Sequence, residues 1–213
     1  MRILITSGAT REPIDAVRFL SNVSTGRTGT LLAEALAQQG HVITLLHGEA
    51  AVRPAPSIGD ISTETFFSTE NLQAQLRRLL GTGIFDVVIH AAAVSDYRPA
   101  EASTGKLSSY APELTLHLVP TPKLLPELKH LAPRPLKVIG FKLTAGASEA
   151  ERAQAVAKLF SAGTVDAVIQ NDMDDLATAD TRPFFAWRAG SPTPEPLAGI
   201  KSLAAWLHTF AGS

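Results

Sequence analysis

Residues suited to holding an anion gather in a few short stretches of this sequence. Ser24-Thr25-Gly26-Arg27-Thr28-Gly29 places hydroxyl donors and two glycines directly before an apolar helical pattern. Glycines let the backbone approach a phosphate closely, and a helix N-terminus offers unpaired N–H groups to negative charge. The same letters also read as a capped helix start with polar groups facing solvent. A second stretch runs His90-Ala91-Ala92-Ala93-Val94-Ser95-Asp96-Tyr97-Arg98-Pro99. Its small residues leave room for a flat base or ribose, Asp96 is a candidate Mg²⁺ ligand, and Arg98 is a candidate phosphate contact. Taken alone, that segment reads more readily as a tight turn with a surface Asp–Arg pair. Lys106, in Thr104-Gly105-Lys106-Leu107-Ser108-Ser109-Tyr110, has the setting of a mobile phosphate clamp, but on these residues alone it reads more readily as a solvated loop lysine. Phe141, after Gly140, stacks on a ligand or fills the core. Asn171-Asp172 reads as part of a ligand loop, or as a helix cap or Asx turn.

The elements that must position these loops alternate in type. Ile3-Leu4-Ile5-Thr6, Val42 to Leu46, Phe85 to His90, Leu136 to Phe141 and Val165 to Ile169 are short apolar runs that predict buried strands. Between them, helical spacing predicts helices over Thr30 to Gln39, with Gly40 as the stop, and over Thr69 to Leu80. A third is expected over Ser148 to Ala162, where Ser148 and Glu151 form a capping-box pattern. Phe184 to Arg188 is strand-like, and Ile200 to Phe210 closes the chain as a helix. Leu114, Leu116 and Leu118 alternate with Thr115 and His117, which predicts a further strand. Residues 51–60 and 189–199 read as loops. The pattern implies an α/β fold of three layers, Rossmann-like, with a mostly parallel sheet and helices on both faces. One domain, residues 1–213, is expected. Ligands of such sheets sit beyond the carboxyl ends of the strands. That directs attention to the loops after Ser7, His90, Phe141 and Ile169. The first of these is long, where about two to six residues are usual, and long ordered loops are commonly functional. Its spacing fits neither the G-x-G-x-x-G fingerprint nor the P-loop.

Composition excludes several classes. Lys plus Arg is 19 and Asp plus Glu is 20, so the net charge of −1 gives no global attraction to nucleic acid or an anionic membrane. No cysteine is present, which removes disulfides, zinc thiolates and thiol catalysis. The six histidines lack metal-ligand spacing, and Trp187 and Trp206 lie far from the candidate loops. The N-terminus has no signal-peptide pattern, and no apolar run approaches the roughly 18 residues of a membrane span. A cytoplasmic protein is expected.

Taken together, the loops resemble the phosphopantothenate–cysteine ligase (phosphopantothenoylcysteine synthetase) family. Gly8-x-Thr10-Arg11-Glu12-Pro13-Ile14-Asp15, followed by Val17-Arg18-Phe19-Leu20-Ser21-Asn22-x-Ser24-Thr25-Gly26, is similar to its opening signature. Ala91 to Pro99 is similar to its second, and Lys106-Leu107-Ser108-Ser109 stands at its lysine loop. Thr121-Pro122-Lys123, Gly140-Phe141-Lys142-Leu143 and Asn171-Asp172 follow in order. The resemblance implies activation of 4′-phosphopantothenate by CTP or ATP to an acyl-nucleotidylate and pyrophosphate. L-Cysteine then attacks, giving an amide in coenzyme A biosynthesis. It implies Asn22 and Lys106 as catalytic, and Arg18, Asn22, Ala92 and Tyr97 toward the acyl substrate. Nucleotide contacts would come from Gly8, Ser24, Thr25, Gly26, Ala91, Ala93, Asp96, Lys106, Phe141 and Asn171, with Mg²⁺ at Asp96. It also implies a homodimer, and no flavin in this segment.

Several features depart from the common fused bacterial pattern. The chain starts at the ligase segment and has no cysteine, as in the stand-alone form, so the phosphopantothenoylcysteine decarboxylase of the pathway would be a separate protein. Lys123 replaces an acidic residue, and Phe141-Lys142-Leu143 replaces Phe-Ala-Ala. These differences weaken the transfer of CTP preference and leave ATP open. Two other readings are an NAD(P)-dependent oxidoreductase and a non-catalytic nucleotide-binding protein. The first lacks G-x-G-x-x-G and a Tyr-x-x-x-Lys pair. The second is disfavoured by retention of Asn22, Asp96 and Lys106.

Overall fold

A computed structural model describes residues 1–56, 59–110, 112–175 and 181–212. The chain opens with β1 (Arg2–Ser7), a hairpin of β2 (Arg11–Pro13) and β3 (Phe19–Ser21), and α1 (Arg27–Gln38). Then come β4 (Val42–Gly48), β5 (Ile61–Phe66), α2 (Thr69–Leu80) and β6 (Val87–His90). A small ladder of β7 (Tyr97–Pro99) and β8 (Leu118–Pro120) precedes the short α3 (Leu128–Leu131). The rest is β9 (Lys137–Thr144), α4 (Glu149–Phe160), β10 (Ala167–Asp172), β11 (Pro183–Arg188), β12 (Glu195–Ala198) and α5 (Gly199–Gly212).

Eight strands form one sheet in the order β12-β11-β10-β9-β6-β1-β4-β5. Those from β10 to β5 run parallel, and β11 and β12 are antiparallel additions at one edge. Side chains alternate between faces. Ile3 and Ile5 pack with Leu32 and Leu36 of α1 and Leu203 and Leu207 of α5. Leu4 points the other way, into a cluster with Leu72 and Leu76 of α2, Leu128 of α3 and Val156 of α4. Fully burying each such leucine is worth about 1.5–3 kcal/mol. Three layers result, with helices on both faces as the apolar runs predicted.

Helix signals hold at several ends. Glu151 N–H donates to Ser148 Oγ and the Glu151 carboxylate accepts from Ser148 N–H, completing the predicted capping box. Gly40 takes φ 85° just past α1, a left-handed stop that glycine adopts without strain. α1 itself begins at Arg27, earlier than the predicted Thr30, because Gly26 starts it with φ 72°.

The alternating Leu114 to Leu118 segment does not form the predicted strand. The strand begins only at Leu118, and Leu114, Leu116 and Leu118 are all exposed. Alternation needs a face to bury against, and the described residues of this chain supply none there. Conversely, β5 is absent from the predicted elements, because Ile61-Ser62-Thr63-Glu64-Thr65-Phe66 is an edge strand rich in polar residues. Likewise β12 lies within the predicted 189–199 loop, and β2 and β3 lie within the long first loop. The predicted 51–60 loop includes residues 57 and 58, which lie outside the described residues. Among the described residues no helix is long and apolar enough to cross a membrane.

Candidate functional site

The connection from β1 to α1 folds back over the carboxyl edge of the sheet and is stitched to the loop after β6. Ala93 N–H donates to Gly8 O at 2.8 Å, and Thr10 N–H donates to Ala93 O at 3.2 Å. Thr10 Oγ1 accepts from Ser95 N–H at 3.0 Å. The Asn22 amide donates to Val94 O at 3.2 Å, so its side chain bridges the same two loops. Glu12 is buried, and its carboxylate accepts the N–H and hydroxyl of Thr69, at 3.0 and 2.6 Å, in the first turn of α2. A helix N-terminus stabilises an anion in that place.

Ser7 Oγ donates to Gly26 O at 2.7 Å, anchoring the start of α1 to the end of β1. A Cβ on Gly26 would lie 2.8 Å from Ala51 Cβ and 2.9 Å from Ser7 Oγ, so both conformation and space require glycine. α1 has no acidic residue in its first turn. Its positive end is therefore left without an internal counter-charge. Beside it opens a cavity of about 280 Å³ bounded by Arg11, Phe19, Asn22, Ser24, Ala50 and Ala51, among others. The Arg11 guanidinium stacks 4.3 Å from the Phe19 ring centroid. Among the described residues, no carboxylate lines the cavity. One cation, amide and hydroxyl groups and a nearby helix N-terminus make a site for an anion. A larger cavity, about 530 Å³, lies at the amino ends of β6, β9 and β10. Its Lys129 and Arg134 are paired with Asp166 and Asp86 at 2.7 and 2.9 Å, so it offers an anion less.

His90 ends β6 and is buried. Burial pushes its imidazole down to about 4, so it is neutral near pH 7. Its Nδ1 lies 2.9 Å from Thr6 Oγ1, which also accepts from Ala92 N–H at 3.2 Å. Thr6 Oγ1 thus holds both the imidazole and the Ala92 backbone. The pair fixes the Ala91 to Ala93 turn on β1.

The structure thus brings together Gly8, Asn22, Ser24, Gly26, Ala91 and Ala93, with Thr25 held through its carbonyl to Val52 N–H at 2.9 Å. Asp96 is exposed and ion-paired with Lys123. No cluster of three or more metal-ligating side chains occurs among the described residues. A Mg²⁺ carried on a triphosphate needs only one or two carboxylates, a set Asp96 can meet once Lys123 is displaced. Tyr97 is half exposed beside it. Arg98 donates to the carbonyl of Pro99. Phe141 packs against the core face that holds α1 and α5. Asn171 is buried near the end of β10. Arg18, expected at the acyl substrate, is engaged with Asp15 and the Leu107 carbonyl, and Lys106 beside it is exposed.

Sequence reasoning missed roles for Arg11, Phe19, Ala50 and Ala51. It singles out loops after four strands and omits the loop after β4. That strand pairs directly with β1, so its end has the same claim. What the sequence does not show is how deeply the Asx-turn carboxylate of Asp172 is buried. It is fully buried and accepts from Thr144 Oγ1 at 2.5 Å and from the N–H groups of Gly146, Ala147 and Asp174. These hydrogen bonds outweigh burial and hold its carboxyl far below the ordinary range.

A family model described as the DNA/pantothenate metabolism flavoprotein C-terminal domain matches residues 1–205. The chain belongs to this family. It is 37% identical over 187 residues to the coenzyme A biosynthesis bifunctional protein CoaBC of Thermococcus kodakarensis, covering 88% of this chain and 45% of that protein. The chain spans less than half the length of the curated CoaBC relatives it matches. The DNA/pantothenate metabolism flavoprotein of Streptococcus pneumoniae superposes with a TM-score of 0.87 at 26% identity, over 100% of this chain and 98% of that one. A Cab2 mutant in complex with phosphopantothenate-cysteine shares the fold, with a TM-score of 0.81 at 17% identity, over 99% and 87% of the two chains. The family membership agrees with the resemblance carried by the loop motifs.

Proposed function

We propose that this chain, as one domain over residues 1–213, is a phosphopantothenate–cysteine ligase. It would activate the carboxylate of 4′-phosphopantothenate with CTP or ATP and pass the acyl group to L-cysteine. The observation that carries the reading is the Asn22 bridge. It seats the Ser24 to Gly26 turn and the Ala91 to Ala93 turn together beside an acid-free cavity with one braced cation. A carboxylate and a triphosphate repel each other, so such a reaction needs charge neutralisation and alignment more than proton transfer. Arg11, the α1 N-terminus and Lys106 would supply positive charge. Mg²⁺ on the triphosphate, met by Asp96, would add to it. The Asn22 amide donates and accepts at neutral charge, which suits holding an acyl-phosphate junction without adding an anion.

A homodimer is part of the proposal. Val17, Val23, Tyr97, Tyr110, Leu114, Leu116 and Leu118 are exposed along the first loop and the 97–118 excursion. Clustered exposed apolar side chains mark association surfaces. The relatives' names point to coenzyme A biosynthesis, and the ligand in the Cab2 complex is the product expected here. The test is pyrophosphate release with phosphopantothenate and each nucleotide, and then amide formation on adding cysteine. Release with neither nucleotide refutes the reading, and the faster nucleotide decides the preference.

A further inference from the structure

The lysine loop is clipped to the loop after β1 on both sides of Lys106. On the near side, Ser103 N–H donates to Ile14 O at 3.0 Å and Ala16 N–H to Gly105 O at 3.5 Å. On the far side both backbone groups of Leu107 are held by charged side chains. Leu107 N–H donates to Asp15 Oδ2 at 3.0 Å, and Arg18 Nη2 donates to Leu107 O at 2.7 Å. Asp15 is itself locked. Its Oδ1 accepts from Val17 N–H at 2.9 Å and Arg18 N–H at 2.8 Å, and its Oδ2 lies 3.0 Å from Arg18 Nε. Its side chain has no exposed surface. One carboxylate oxygen therefore shapes its own turn, and the other reaches across 92 positions of sequence. Beyond the clip the chain stands in solvent, with Tyr110 and Leu114 exposed.

We infer that Asp15 and Arg18 are positioning residues that set where Lys106 can reach, by pinning Leu107 from both its N–H and its carbonyl. What Lys106 does there rests on the ligase reading. The clip itself does not. Lys106 has a pinned neighbour on each side, so its backbone is fixed while its side chain sweeps. Charge-assisted hydrogen bonds are the stronger kind, and two of the four here carry a full charge.

Asp15→Asn is the direct test. The amide NH₂ placed at Oδ2 would face the Leu107 N–H and the Arg18 guanidinium, donor against donor. Arg18→Gln is the second variant, needed if Asp15→Asn loses its cooperative melt. Limited trypsin digestion, with cleavage after Lys106 assigned by mass, reads opening of the clip without reference to activity. Cleavage there should rise about tenfold, the size of one lost charged hydrogen bond. Single-turnover pyrophosphate release should slow by a similar factor. In a Lys106→Ala background the same substitution should slow it less than about twofold, because the two changes share one path. Unchanged cleavage in a variant that melts like the wild type overturns the inference, as does an equal loss of rate in both backgrounds. If the wild type releases no pyrophosphate with either nucleotide, the ligase reading falls, and the trypsin comparison still decides the clip.

Discussion

Acid should weaken this fold through His90. In the folded chain the buried imidazole is held neutral, down to about 4, against an ordinary value of 6.5. A histidine depressed in this way adds stability above its unfolded value and loses it as pH falls toward the folded one. Below pH 6.5 the unfolded chain takes up a proton that the folded chain refuses. Each unit of difference is worth about 1.4 kcal/mol. From pH 7 to pH 5 the expected loss is about 2 kcal/mol, rising to about 3 kcal/mol near pH 4. Other groups contribute to the total slope. His41, 2.9 Å from His208, is also held low, by burial first and then by the N-terminal amine and His208. The comparison is therefore urea unfolding of the wild type against His90→Asn across that range. The asparagine keeps a polar partner for Thr6 but does not titrate. The wild type's advantage at pH 7 should shrink by about 2 kcal/mol at pH 5. A gap that stays constant with pH would refute the argument, since His90 would then not be the group that couples protons to folding.

Three other outcomes are expected. Asn22→Asp should impair amide formation more than acyl-nucleotidylate formation, because a carboxylate beside Val94 would repel the intermediate and lose the N–H donor; a rapid-quench time course showing equal loss in both steps removes that selective role. Arg11→Gln should weaken binding of the nucleotide or phosphopantothenate by about tenfold or more, the scale of a charged hydrogen bond, and unchanged Kd for both would show that Arg11 only packs on Phe19. Sedimentation should give a dimer of the 22.6 kDa chain at micromolar concentration, and a fully active monomer would exclude the association surface proposed for Leu114 to Leu118.

The strands and helices that read correctly from the sequence are those whose burial is decided locally. β6 and β10 are buried at every position, so an unbroken apolar run or its polar end is visible without knowing the neighbours. The capping box at Ser148 needs only four residues, and the Gly40 stop needs one. The motif order from Gly8 to Asn171 also lies in the letters, and with it the family. Tertiary structure decided the rest, because the groups involved meet only when distant segments pack. Edge strand β5 gains its partners from β4 rather than from its own polar sequence. Leu114 to Leu118 alternates like a strand and lacks a surface among the described residues to make it one. Asp15 looks like an ordinary turn residue until Leu107 arrives beside it. Arg11 comes to line a cavity only once the chain stacks it on Phe19 and brings Ala50 and Ala51 alongside. Sequence spacing records what one element buries, and charge placement between loops is set by the sheet that carries them.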